Sequence, residues 1–109
     1  MIERSRKYLS DILTAIELIE EFLKGIIEFN DYQSDSKSRS AVERQLGIIG
    51  EAVNKYQQEG NPELPQSQHI VQFRNRLIHA YDSIDDSIVW VIVKKKLPGL
   101  KEEVSKLLK

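Results

Sequence analysis

Nine apolar side chains near the start of the chain, Leu9, Ile12, Leu13, Ile16, Ile19, Phe22, Leu23, Ile26 and Ile27, recur at steps of three and four. Asp11, Glu17, Glu20, Glu21 and Lys24 fill the opposite side. That spacing matches one face of an α-helix and not the period of two that a half-buried strand requires. It predicts a long amphipathic helix over about residues 4–29. Such a helix cannot bury its stripe alone, so the chain is committed to packing helix on helix unless a sheet follows.

No sheet is foreseen. Asn30 to Ser36 is rich in residues that hydrogen-bond to their own backbone, which predicts a connection and a cap for a helix starting near Asp35 or Ser36. Val42, Leu46, Ile49, Val53 and Tyr56 form a second apolar stripe. Ser40 with Glu43 offers a capping box if that helix starts late. Gly47 and Gly50 lie inside it, each weakening a helix by about 1 kcal/mol relative to alanine, so close approach of another helix is the expected return. Glu59 to Pro65, with one glycine and two prolines, ends the element. A third helix is expected from Gln66 to about Tyr81, with Ile70, Phe73, Leu77, Ile78 and Tyr81 on one face. A fourth should run from Asp85 or Asp86 into Lys94, Lys95 and Lys96, whose charge suits a helix C-terminus. The β-branched run Ile88 to Val93 would pass for a strand, but a lone strand has no partner, so a helix buried on most sides, by the core or by a second subunit, is expected. Pro98 then begins, or kinks into, a last helix carrying Leu100, Val104, Leu107 and Leu108. The predicted fold is all-α, an up-and-down bundle of four to five helices in one domain over 1–109.

Composition narrows the chemistry. With no cysteine and two histidines, disulfides and thiolate metal sites are excluded and no metal cluster or cofactor is expected. The apolar run at 88–93 is too short to span a bilayer, and Met1-Ile2-Glu3-Arg4 leads into a charged helix, so a cytoplasmic protein is expected. The net charge of −1 is uneven: residues 1–65 carry 8 basic and 12 acidic side chains, and residues 66–109 carry 8 and 5. The C-terminal part is the better neighbour for an anion.

That part contains Arg74-Asn75-Arg76-Leu77-Ile78-His79-Ala80-Tyr81. Arginine can hold a phosphate bidentately, and histidine can take or give a proton near neutral pH. On a regular helix Arg74 and Tyr81 fall within about 20 degrees of each other and in line with Ile70 and Leu77, so Arg74 sits in the apolar stripe. A guanidinium there is costly unless it is paired or faces a wet cleft. His79 lies about 140 degrees from Arg74, so either the helix ends before His79 or a symmetry-related chain completes a site. The alternative reading is structural: Arg74 snorkels to solvent or pairs with an acid such as Glu51, His79 caps a helix end and Tyr81 packs. His69 has no such company and reads as a surface histidine.

Arg74-x-x-x-x-His79-x-Tyr81, with Asn75 after the arginine, resembles the motif of HEPN-domain proteins, specifically the HepT-like toxins. Asp11-Ile12-Leu13-x-Ala15-Ile16, Ile48-Ile49-Gly50-Glu51-Ala52, and Val89-Trp90 followed by Leu97-Pro98 are similar to that family's pattern as well. The resemblance covers almost the whole chain. It implies an all-α homodimer acting as a metal-independent endoribonuclease on tRNA or mRNA, with Arg74 and His79 catalytic and Asn75 supporting. It also implies a partner, a minimal nucleotidyltransferase antitoxin of the MntA type that transfers AMP to Tyr81. A second reading within the same resemblance is a catalytically inactive helical module that binds a nucleotidyltransferase or a nucleotide.

Overall fold

A computed structural model describes residues 1–109 as helices and connections without a strand. Helix α1 spans Glu3–Phe22, α2 Phe29–Ser34, α3 Ser36–Gln58 and α4 Ser67–His79. A 3₁₀ turn at Tyr81–Ser83 leads to α5, Asp86–Val91, which continues through a π-helical stretch at Ile92–Lys96 into α6, Leu97–Leu108.

The long helices alternate in direction, and specific pairs fix the register. Arg4 at the start of α1 meets Glu59 just past α3 at 2.7 Å, and Arg6 Nη2 donates to the Leu108 carbonyl at the end of α6. Lys101 near the start of α6 in turn reaches Glu20 near the end of α1 at 2.9 Å. Gly47 lies opposite Leu77 and Gly50 opposite Arg74, so α3 and α4 are antiparallel too. The predicted up-and-down bundle is therefore the observed one. Its core combines Leu9, Ile12, Ile16 and Ile19 of α1 with Val42, Leu46, Ile49, Val53 and Tyr56 of α3, joined by Ile70, Phe73, Leu100 and Val104.

Two expectations need correction. The first helix stops at Phe22 and not near residue 29, because Gly25 (φ 83°) takes the left-handed conformation that closes helix ends and sends the chain away, leaving Ile27 exposed. The segment taken for a simple connection holds the one-and-a-half-turn helix α2, which buries Tyr32 completely against Trp90, ring centroids 5.4 Å apart. The cap at its end is as expected: the Asp35 carboxylate accepts from the Ser38 N–H and Oγ and opens α3 at Ser36. Those two hydrogen bonds hold the Asp35 carboxyl below its ordinary range. Along α5 and the turn after it, Val89 and Ile92 face the core while Ile88 and Val91 are exposed, so the core of one chain covers a single side of this helix.

Pro98 explains the break between α5 and α6. It has no N–H for the carbonyl four residues earlier and its ring crowds that carbonyl, so the turn before it widens. Lys94, inside the widened turn, places Nζ 4.7 Å from the Trp90 ring centroid.

Candidate active-site groove

Helices α3 and α4 approach closely at Gly50. A methyl group there would run into Cβ of Arg74 and come within 2.9 Å of its Cγ and 3.2 Å of the Ile70 carbonyl oxygen. The missing side chain is what lets the stem of Arg74 lie on the backbone of α3. From there the guanidinium reaches an open groove of about 680 Å³ between α1, α3 and α4. Its side chain keeps 22% of its surface exposed. An arginine in the apolar stripe of α4 is thus tolerated because the stripe opens here into solvent.

The head of Arg74 is held on two sides. Nη2 makes an ion pair with Oε2 of Glu51, one residue beyond Gly50 on α3. Nη1 donates to Oδ1 of Asn75 at 2.9 Å. Glu51 also faces Lys55 Nζ at 3.5 Å. Across the groove, on α1, Lys7 pairs with Asp11 at 2.9 Å. Arg44, one turn before Gly47 and Ile48, lines the same groove and is engaged by no carboxylate. Glu43 closes the far end, its carboxyl pushed above the usual range by burial and by Asp86, with Arg39 opposing.

The predicted motif residues divide. Arg74 and Tyr81 line the groove together, and Asn75 touches Arg74. They do not share a helix as expected: α4 ends at His79, Ala80 turns the backbone (φ −146°), and Tyr81 stands on the 3₁₀ turn with 75% of its surface exposed. His79 occupies the last turn of α4, is exposed and does not line the groove. The helix does not end before His79, so within one chain the imidazole and the guanidinium face different directions. His69 is exposed in the first turn of α4 with Nδ1 3.1 Å from Gln66 Oε1, as its surface reading required.

Sequence reasoning names Glu51 as a partner for Arg74 but gives no place to Tyr8 and Arg44 in the same wall. The signal for Arg44 is present: Arg44, Ile48, Glu51 and Lys55 follow one another at helical steps of four, three and four beside the two glycines. No group of three His, Asp or Glu side chains is placed to hold a metal ion, and no helix is long and apolar enough to cross a membrane.

Comparisons with known proteins agree with one another. A family profile described as "Ribonuclease HepT-like" matches residues 12–107. The chain is 43% identical to the "Probable ribonuclease HepT" of Thermococcus cleftensis over 112 aligned positions, covering 99% of this chain and 100% of that protein. It is 39% identical to "Putative RNase MJ1380" of Methanocaldococcus jannaschii, with 91% of this chain and 92% of the other covered. It is 36% identical to "Putative RNase TTE0752" of Caldanaerobacter subterraneus subsp. tengcongensis, at 94% and 93% coverage. No solved structure matches.

Proposed function

This chain belongs to the ribonuclease HepT-like family, and from that premise we propose that it is the toxin of a toxin–antitoxin pair, a metal-independent endoribonuclease whose site forms between two copies. The observation that carries the reading is Arg74, an always-charged side chain set in the apolar stripe of α4 yet open to a groove of about 680 Å³. A phosphodiester is the ligand such a group suits best.

In RNA the attacking group is already beside its phosphorus. A base removes the 2′-hydroxyl proton, the 2′-oxygen bonds to phosphorus, and the bond to the 5′-oxygen breaks as that oxygen receives a proton. The products are a 2′,3′-cyclic phosphate and a 5′-hydroxyl end, with no water consumed. Arg74 would stabilise the charge that builds on the phosphorane oxygens. His79 of one copy would take the first proton and His79 of the other would give the second, which assigns a role to an imidazole that in a single chain faces away from Arg74.

Tyr81 is the proposed off-switch. Its phenolic oxygen would attack the α-phosphorus of ATP in the active site of an MntA-type nucleotidyltransferase, releasing pyrophosphate and passing its proton to a base there. The AMP group adds negative charge and bulk beside Arg74, which repels a substrate phosphate. In support, Tyr81 is exposed and on the rim of the same groove.

Incubation of the purified protein with total RNA in EDTA tests the enzyme: cleavage by wild type that is lost in His79→Ala and Arg74→Ala is expected. Absence of wild-type cleavage, or equal cleavage by His79→Ala, refutes it. Intact mass after coexpression with the partner transferase should show whole AMP units that disappear in Tyr81→Phe. The position of His79 outside the groove favours one other reading, an inactive module that binds a nucleotidyltransferase or a nucleotide. It predicts complex formation, with ordinary growth on overexpression that Arg74→Ala does not alter.

A further inference from the structure

We infer that Glu51 is a positioning residue for Arg74, fixing the direction in which the guanidinium meets a substrate phosphate; the inference rests on the ribonuclease reading of the same groove. A guanidinium carries five N–H donors in a rigid fork, and what it can offer a ligand depends on which of them are already engaged. Here Glu51 engages Nη2 and Asn75 engages Nη1, while Gly50 seats the stem. Both outer nitrogens are therefore anchored, one to each flanking helix. The donors left over are fixed relative to α3 and α4 instead of sweeping the groove with the rotamer freedom of a long side chain.

The charges agree with this role. Glu51 lies between Arg74 and Lys55, so the three groups together carry one positive charge. One phosphodiester neutralises it. A carboxylate that served only to cancel Arg74 would leave no charge for an anion to meet. The pair is also not a dry packing contact, since 22% of the Arg74 side chain and 38% of that of Glu51 remain exposed.

Comparing Glu51→Ala with Glu51→Gln isolates the positioning. Both remove the negative charge, but only glutamine retains an oxygen that can accept from Nη2. Relative to Glu51→Gln, Glu51→Ala is expected to lose about 10- to 100-fold in kcat against RNA, with KM raised only several-fold and the thermal midpoint nearly unchanged, the size of effect a displaced catalytic group produces. Binding of a 2′-deoxy oligonucleotide, followed by fluorescence anisotropy, gives a readout without cleavage. There Glu51→Ala should bind several-fold more weakly than Glu51→Gln, and this gap should vanish when both are placed on Arg74→Ala. Equal behaviour of the two Glu51 variants in both assays overturns the inference, as does a gap that persists without Arg74. If wild type fails to cleave RNA while the Arg74-dependent gap in binding stands, the ribonuclease reading fails and the positioning role survives.

Discussion

Two glycines three residues apart in α3 should respond to the same substitution with opposite signs. Within a helix, glycine to alanine stabilises by about 1 kcal/mol when nothing else changes. At Gly47 nothing else does: the new methyl would sit 3.7 Å from Leu77 Cδ1, an ordinary contact. Gly47→Ala should therefore stabilise by up to about 1 kcal/mol, raising the thermal midpoint by about 4–8 °C for a domain of this size. At Gly50 the methyl meets Cβ and Cγ of Arg74 and the Ile70 carbonyl oxygen. None of these is the free end of a flexible chain, so α4 itself must move. Overpacking of that kind costs about 1–3 kcal/mol. After the helical gain is subtracted, Gly50→Ala should be destabilised by about 0–2 kcal/mol. Activity is the sharper readout, because displacing α4 here moves the stem of Arg74 directly, and about 100-fold is expected for a shift near 1 Å. Thermal melts and RNA-cleavage rates on both variants decide the matter. Equal midpoints, or full activity in Gly50→Ala, would refute the argument that the glycine exists to seat Arg74.

Tyr32 is fully buried and its hydroxyl meets no partner; burial also drives its pKa upward. Tyr32→Phe removes an unsatisfied polar group and should stabilise by about 1 kcal/mol, read as a raised denaturation midpoint. The Glu43 carboxyl, raised by burial and Asp86, favours its protonated form in the fold, so its presence weakens the protein as pH rises through the carboxylate range. Glu43→Gln should melt higher than wild type at pH 7, with the difference closing near pH 4. Arg44, free of any carboxylate in the groove, should contribute one phosphate contact. Arg44→Ala is expected to weaken oligonucleotide binding and to reduce the slope of log K against log salt by about 1.

The bundle was legible because the long helices carry clean stripes at steps of three and four, and the helix Ser36–Gln58 runs into a stretch with one glycine and two prolines. What escaped was short or depended on distant neighbours. Helix α2 is only six residues, and its burial of Tyr32 rests on Trp90, some sixty residues away. The apolar periodicity runs past Phe22 into Ile26 and Ile27, so nothing local in that pattern announced the stop that Gly25 makes. At the site, the spacing placed Arg74 in the apolar stripe and named Glu51 as its alternative partner, and the fold brings both together. The angle between Arg74 and His79 was also legible, since α4 stays regular through His79. The break at Ala80 was not, because alanine is a strong helix former and only the chain beyond it pulls the backbone away.

The join between α5 and α6 has a consequence for how this chain tolerates length changes. The inward side chains along it are Val89, Ile92, Leu97, Leu100 and Val104, a sequence of steps three, five, three and four. The step of five marks one surplus residue, which the π-helical turn at Ile92–Lys96 absorbs so that both halves still face the core. Loss of one of the three adjacent lysines would turn the five into a four and leave all five apolar side chains in phase. A deletion between Val89 and Ile92 or between Leu97 and Val104 would instead rotate the side chains beyond it by about 100 degrees and carry their core face into water. The stretch from Val93 to Lys96 is thus the place in this helix pair where the reading frame of the core has slack.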